Sequence, residues 1–471
     1  MSHVRIGAAA VAGALIALLT PAMAAAHGLV GRADLPIPDW LFGWAAAAVL
    51  AISFFAFAAL WQRPRLETAV PKRRIRVPVA VEVLAGALGV AGLIFLLWAG
   101  FSGTQVATDN IVPTFVYVFF WSFLPFLSAV FGDLFRAVNP WRAIGRAGGW
   151  LTGRASGEQM PPPFDYPEWL GRWPAVALLF GFGFLELVAT SGQDPDMLAT
   201  MMLAYAVIQL AGMTLFGVER WLERGDAFNI YFNAFSRISP LTVRDGYLST
   251  RPPLSGLTEI TALRGTVVFF CAAIGITAFD GASEGALWQD GSMSLQRFFA
   301  DFGFSTQTAL QIAFTVGLIA SIFIITGIYR TGVAGMRRGG IDKSGRDLAQ
   351  MFAPSLVPIV LAYVLAHYFS FIMFQGQALW FLLSDPLGEG SNWFGAADGK
   401  IVFTWLSASA IWYFQAAILV IGHAAALAVA HDKALAVFGK ARAAVRSQVW
   451  MLIVMVGFTN LGLWLLSQAN G

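Results

Sequence analysis

Residues 352–383 contain no Asp, Glu, Lys or Arg, and this run constrains the fold more than any other part of the chain. As a helix rising about 1.5 Å per residue, the run exceeds the ~30 Å hydrocarbon core of a bilayer. It therefore predicts a membrane span that tilts or breaks, and Pro354, Pro358 and Gly376 are the expected positions. One ionisable residue, His367, lies inside it, and at that depth it is a functional candidate.

The composition predicts an all-α polytopic membrane protein. Hydrophobic residues make up 58% of the chain and charged residues 12%, whereas soluble domains carry about 25% charged residues. The net charge of +3 does not indicate a nucleic-acid partner, because membrane proteins collect Lys and Arg in cytoplasmic loops. The single cysteine, Cys271, lies in an apolar run, which excludes an intrachain disulfide and a thiolate metal site. We expect it to be a small buried side chain.

Residues 1–26 match a secretory signal peptide, with a basic start, an apolar core and small residues at the cleavage site. Cleavage after Ala24 or after Ala26 fits the pattern, and only the second leaves His27 as the new N-terminus. Retention of the segment as an anchor is the alternative. Residues 27–471 are then predicted to form one helical transmembrane domain.

Hydropathy predicts about ten spans after the signal. They are 40–61, 79–101, 112–132, 173–191, 197–219, 263–280, 306–329, 352–383, 402–430 and 448–467. A cleaved signal places the mature N-terminus outside, and the loops then predicted to be cytoplasmic hold 26 of the 30 basic residues. This distribution obeys the positive-inside rule. It predicts a multi-pass protein of a bacterial inner membrane with both mature ends outside.

The loops are too short for an independent soluble core. One predicted cytoplasmic loop, 219–241, alternates aromatic and polar residues. This pattern is typical of an amphipathic helix lying at the membrane surface. Such a helix is a simple connector or, alternatively, a cytoplasmic gate or partner site.

His367 and His423 lie on consecutive apolar runs, so the two helices are expected to be neighbours. Imidazoles on neighbouring helices can ligate a haem iron or another metal or relay protons. They can also simply hydrogen-bond to the backbone or to tyrosine, and Tyr363 and Tyr368 are close in sequence. His431 is expected to be a polar residue at the cytoplasmic boundary.

A second group of candidates is predicted at the outer surface. Glu186 lies inside the outer end of an apolar run, and Asp194 follows it in the next loop, while Asp280 ends another span. An acid in such a run must pair with a cation or titrate. Cleavage after Ala26 would bring His27 to the same side, where its α-amine and imidazole form a chelating pair suited to a divalent metal or copper.

Four segments carry a family resemblance: AHGLVGRADLPIPDWLF at 26–42, NPWRAIGR at 139–146, FNIYFNAFSRISPL at 228–241 and GHAAALAVAHDKAL at 422–435. With these segments the chain resembles bacterial integral membrane proteins of the fenitrothion hydrolase family, over essentially all of its length after the signal. The resemblance implies hydrolysis of an organophosphate triester and identifies no catalytic residues. Metal-activated hydroxide commonly performs that chemistry.

Three function classes follow from these observations. The first is a metal-assisted triester hydrolase acting on a small molecule through His27 with Glu186, Asp194 or Asp280. The second is a membrane transporter or copper-handling protein. The third is a protein that binds haem b through His367 and His423.

Overall fold

The apolar runs fold as helices, because a backbone within hydrocarbon must satisfy its own hydrogen bonds. The computed structural model describes residues 39–158, 161–340 and 342–469. Within these ranges nine helices are long and apolar enough to cross a membrane, which confirms the prediction of a polytopic helical membrane protein. The predicted signal peptide and His27 lie outside the described residues.

The first half of the described chain contains ten helices, one strand and one π-helical segment. They are α1 (Asp39–Leu60), β1 (Lys72–Arg76), α2 (Val79–Ser102), α3 (Ile111–Thr114), the π-helical segment Phe115–Phe123, α4 (Leu124–Phe131), α5 (Leu134–Val138), α6 (Pro140–Ser156), α7 (Trp173–Leu187), α8 (Pro195–Phe216), α9 (Val218–Arg224) and α10 (Ala227–Ser236).

The second half begins with a hairpin and continues with nine helices. They are β2 (Leu241–Arg244), β3 (Tyr247–Thr250), α11 (Thr266–Ser283), α12 (Ala286–Asp301), α13 (Thr306–Ala334), α14 (Gly345–Phe352), α15 (Leu356–His367), α16 (Phe369–Gln375), α17 (Ala378–Ser384), α18 (Ala408–Phe438) and α19 (Ala441–Ala469).

The fourth predicted span is the short one. Helix α7 has 15 residues, which corresponds to about 22 Å of rise, less than the thickness of a hydrocarbon core. Helix α12 has 16 residues and carries polar and charged side chains, so it is not among the candidate spans.

The charge-free run at 352–383 is broken, as expected. A single 3-10 turn at Ala353–Ser355 joins α14 to α15, and Gly376 separates α16 from α17. Pro358 lies in the first turn of α15 without interrupting it. A further break was not predicted: Tyr368 has φ −90° and ψ 10°, which ends α15 directly after His367.

Two helices occupy the centre of the protein. In α11, 83% of the apolar window is buried, and in the continuous segment from α14 to α15 the figure is 78%. In α1 and α2, by contrast, most residues are on the outside. Cys271 on α11 is fully buried, as predicted. Side chains from α11 and α15 therefore meet away from lipid.

The helix predicted to lie on the membrane surface is instead buried. Nine of the ten residues of α10 are buried, and Phe228 and Phe232 pack edge-on against Phe120. Asp226 caps this helix by accepting a hydrogen bond from the amide of Asn229 (3.0 Å). The aromatic residues do form a single stripe, as an amphipathic helix requires, but the polar side is covered as well. Asn229 donates to the carbonyl of Leu222 and Asn233 to the carboxylate of Asp133, so both sides of the helix contact protein.

A small sheet joins two loops that are far apart in sequence. Its three strands are ordered β1-β3-β2, and all neighbours are antiparallel. Asp245 (φ 51°) and Gly246 (φ 73°) form the β2–β3 turn, and two positive φ values in a row are typical of a type I′ hairpin. The loops containing 72–76 and 241–250 therefore lie at the same end of the molecule.

Candidate functional site

Three helices bring a histidine, a tyrosine and two acids together inside the protein. His367 ends α15, and its Nε2 lies 2.9 Å from Oδ2 of Asp280 on α11. The Tyr368 hydroxyl lies 2.8 Å from the same oxygen and 3.1 Å from Oε1 of Glu186 on α7. The indole of Trp121 donates to the Tyr368 hydroxyl (3.3 Å). We call these five residues the acid–tyrosine cluster.

The hydrogen bonds of the acid–tyrosine cluster require a specific placement of protons. Tyr368 carries one hydroxyl proton and can donate it to one carboxylate at a time. When that proton and an Nε2 proton of His367 both point at Asp280, Asp280 is a charge-assisted acceptor. Glu186 then keeps its bond to Tyr368 only by donating a proton of its own to the tyrosine oxygen. The three bonds are therefore satisfied together when Glu186 is protonated.

Burial makes this arrangement sensitive to charge. The side chains of His367 and Asp280 are 9% and 7% exposed, and Oε2 of Glu186 is buried without a hydrogen-bond partner among the described residues. Two ionised carboxylates facing one histidine in such surroundings would leave an uncompensated charge, which is costly. The residues can thus hold or release a proton only with a change in their hydrogen bonds.

Aromatic side chains hold the acid–tyrosine cluster in place. Trp121 lies in the π-helical segment Phe115–Phe123, a local geometry that is frequent at functional sites. Its ring stacks on Tyr231 of α10 at a centroid distance of 4.8 Å and contacts Phe182 of α7 at 4.7 Å. The buried α10 thus forms one wall of the site.

A cavity of about 20 Å³ adjoins His367 and is lined by Thr277, Tyr363 and Gly462, among others. This volume is enough for one water molecule. The hydroxyl of Tyr363 is buried and has no hydrogen-bond partner among the described residues. A water in this cavity would lie next to both Tyr363 and His367, which line it.

A half-buried acid follows Asp280 on its helix. Glu284 lies one turn after Asp280, directly beyond the end of α11, and it interacts electrostatically with His367. It is partly exposed. The acid–tyrosine cluster therefore has a second, partly exposed acid near its histidine.

His423 does not form a ligand pair with His367. Its Nδ1 bonds to the carbonyl of Leu419 (2.8 Å), and its ring lies against Tyr363 and Phe458. A haem iron needs a free nitrogen from each histidine, whereas Nε2 of His367 is bonded to Asp280. The adjoining cavity is also far smaller than a haem. The geometry therefore does not fit the predicted haem b site.

The acids predicted to join His27 in a metal site do not form a ligand cluster by themselves in the part of the chain that the structure describes. There, no group of three or more His, Cys, Asp or Glu side chains is close enough to hold a metal ion. Asp194 is exposed directly before the first turn of α8. It is not part of the hydrogen bonds that join Glu186 to Asp280 through Tyr368. His27 lies outside the described residues, so its role as a ligand stays a prediction.

His431 has a structural role together with its neighbour Asp432. His431 is buried, with Nε2 donating to the carbonyl of Trp61 (2.9 Å). Asp432 is fully buried and accepts hydrogen bonds from the Trp61 indole and from the amides of Arg65, Leu66 and Glu67. The pair holds the loop after α1 against α18. The sequence analysis, which placed His431 at the cytoplasmic boundary, did not predict this contact.

Sequence reasoning singled out Glu186, Asp280 and His367 but did not place them together. It named Tyr368 only as a neighbour of His367 and missed Trp121. A tyrosine next to the histidine in a charge-free run was the available signal, since a buried hydroxyl needs a partner. Comparisons with protein-family models, with curated proteins and with solved structures found no match.

Proposed function

We propose that this chain is a transporter of the bacterial inner membrane that couples movement of a small solute to protons, with the acid–tyrosine cluster as its proton-binding site. The observation that carries the proposal is the sharing of one tyrosine hydroxyl by Glu186 and Asp280. Loss of the proton from Glu186 removes one hydrogen bond between α7 and the pair α11 and α15. Protonation and helix arrangement are coupled in this way, as proton-driven transport requires.

The interrupted helix next to the site supports the same function. Helix α15 ends at His367, and the chain continues through the short helices α16 and α17. Discontinuous helices near the middle of the membrane are typical of transporter binding sites, where a non-helical backbone is tolerated only beside protein or a water-filled cavity. The break lies between the two residues that hold Asp280.

The sheet supports ten spans rather than nine. Strands β1 and β3 are paired, so an even number of crossings separates them. Three helical segments between them are long enough to cross a membrane: α2, Ile111–Phe131 and α8. Three is an odd number, so the count becomes even only if α7 also crosses. We infer that α7 is the tenth span. The end with the sheet carries the basic loops and is therefore cytoplasmic.

Ester hydrolysis is the second candidate, and the His367–Asp280 pair is the observation that favours it. A histidine held by a carboxylate can act as a general base toward water, and the resemblance to the fenitrothion hydrolase family motivates a triester substrate. The cavity beside His367, at about 20 Å³, admits water but not a triester. Transport is preferred because it needs only protons at this position.

One preparation tests both functions. Purified protein is reconstituted into vesicles that contain a pH-sensitive dye, a pH gradient is imposed, and fenitrothion is added as the probe. Transport predicts a proton flux with the ester intact, and hydrolysis predicts release of the phenol without a flux. Glu186→Gln and Asp280→Asn should abolish the flux, whereas Asp194→Asn, which changes an exposed acid, should not.

A measurement that needs no solute tests the proton itself. Infrared difference spectra of the purified protein across a pH titration should show a protonated carboxyl that is absent from Glu186→Gln and present in Asp194→Asn. A wild-type protein without that band would contradict the shared proton. Equal flux in all variants would rule out the assigned site.

A further inference from the structure

A basic groove lies at the end of the molecule that carries the sheet and the basic loops. It has a volume of about 510 Å³. Among the residues that line it are Arg264, Arg330, Arg346, Gln350 and Trp173, and no carboxylate is among its described lining residues. All three arginines are exposed, and the described residues give none of their side chains an ion pair. The groove therefore presents uncompensated positive charge.

The backbone around the groove adds to this charge. The first residues of α7 and α14, Trp173 and Gly345, lie in the wall, and α11 begins directly after Gly265. Helix N-termini carry partial positive charge, which favours an anion. The amide of Arg172 donates to the carbonyl of Arg264 (2.7 Å), and this bond fixes the starts of α7 and α11 relative to each other.

The groove opens onto a surface that suits lipid. Val267, Val268 and Ala334 complete its apolar side, and Trp173 is 46% exposed. Phe323 lies two turns before Arg330, which puts it on the same face of α13, and it is 71% exposed. An amphiphile whose head lies among the arginines can therefore lay an acyl chain along α13.

We propose that this groove binds the headgroup phosphate of an anionic phospholipid on the cytoplasmic side of the membrane. Arginine matches a phosphate with several parallel hydrogen bonds, and basic pockets between membrane helices on this side are suited to such headgroups. A free phosphate offers the same chemistry but makes no use of the apolar wall. The nearest acid in sequence, Asp347, is bonded to the hydroxyl of Ser344 (2.7 Å) and does not line the groove.

The test compares retained lipids by native mass spectrometry of the full chain in detergent. Phosphatidylglycerol and phosphatidylcholine are titrated in separate samples, and inorganic phosphate is titrated in a third as a competitor. The proposal predicts a marked preference for phosphatidylglycerol that millimolar phosphate does not remove. Arg264→Gln, Arg330→Gln and Arg346→Gln should each weaken binding about fivefold, and the triple variant should lose it.

The matched control is Arg63→Gln/Arg442→Gln/Arg446→Gln, which removes the same charge from the same side of the membrane outside the groove. It should keep its binding within about twofold of the wild type. Equal loss in the control, unchanged binding in the groove variants, or displacement of the lipid by phosphate would each overturn the proposal. The single variants decide the question if the triple variant does not fold.

Discussion

The hydroxyl of Tyr368 lies 2.8 Å from Oδ2 of Asp280, and this contact joins the two candidate membrane spans that are most buried among the described residues. Asp280 belongs to α11. Tyr368 lies between α15 and α16, at the point where the helix is interrupted. A rearrangement of either helix must therefore alter the hydrogen bonds of a carboxylate. This link between backbone and charge underlies the first prediction.

Tyr368→Phe should lower the proposed proton flux by about 100-fold, the scale of a lost proton-transfer group. The substitution keeps the ring but removes the hydroxyl that hydrogen-bonds to both Glu186 and Asp280. The flux in vesicles measures the effect. Tyr413→Phe, at an exposed tyrosine, is the matched control, and a flux near the wild-type value in Tyr368→Phe would exclude the tyrosine from the proton path.

Cysteine labelling should place the two ends of α7 on opposite sides of the membrane. Glu158→Cys precedes α7 and Asp194→Cys follows it, and both positions are exposed. An impermeant maleimide added to oriented vesicles should label one variant from inside and the other from outside. The native Cys271 is buried and supplies a silent background. Labelling of both variants from the same side would contradict the proposal that α7 crosses the membrane.

Asp432→Ala should destabilise the protein by about 4 kcal/mol, because it removes a fully buried carboxylate that accepts four hydrogen bonds. The donors are the indole of Trp61 and the amides of Arg65, Leu66 and Glu67. Thermal unfolding in detergent measures the loss. Lys433→Met breaks only the adjacent ion pair with Glu67, so it should cost about 1 kcal/mol or less; similar losses in both would contradict the role of Asp432.

Gly422→Ala should destabilise the protein by about 1–3 kcal/mol, the usual cost of overpacking. A Cβ at this position would overlap Cβ of Ala362 and lie 2.8 Å from the carbonyl of Pro358, so α15 and α18 would have to separate. Gly457→Ala on α19 meets open space and should be neutral or slightly stabilising. Equal unfolding temperatures in the two variants would contradict the close approach of the helices.

Asp226 should make stability depend on pH. Burial raises the pKa of Asp226 above its usual value despite the bonds it accepts from Asn229, Tyr205 and Asn139. Protonation is then easier in the folded state than in the unfolded state, so the contribution of this group to stability is complete below its unfolded pKa of about 3.9 and is lost as the pH rises through the folded pKa.

The measurement for Asp226 is the unfolding temperature of the wild type minus that of Asp226→Asn, taken from acid to neutral pH. The difference should favour the wild type most at low pH and should shrink as the pH rises. A difference that grows with pH would show the opposite linkage. Asp245→Asn, at an exposed turn with a salt bridge to Arg73, should show little of this trend.

The spans were predictable because each depends on a local run of apolar residues, and the loops added a charge pattern. The sequence did not allow us to predict that Glu186, Asp280 and His367 lie together. Helices α7, α11 and α15 are separated in sequence, and the rotation of each about its axis depends on packing. The prediction that α15 and α18 are neighbours is supported by the contact at Gly422. The rotation of α15 about its axis nevertheless directs His367 toward Asp280 of α11. It does not direct His367 and His423 toward a common ligand.

One local signal would have improved the prediction. Asp245-Gly246 between alternating residues is a strong hairpin signal, and it would have revealed β2 and β3. In 227–236, by contrast, the aromatic residues form one stripe along a helix, a pattern that fits a surface position as well as a buried one, so no local signal indicated the burial of α10. The pairing of β1 with β3 had no local signal, since its register depends on residues about 170 positions apart.

The sheet also has a consequence for biogenesis. Strand β1 is synthesised before four of the proposed crossings and β3 after them, so the sheet can close only when all four have been inserted. Among these four crossings, α7 is the shortest helix. If α7 did not insert, β3 would end on the opposite side of the membrane from β1. Closure of the sheet therefore makes folding of the sheet-bearing end conditional on insertion of all the proposed spans between β1 and β3.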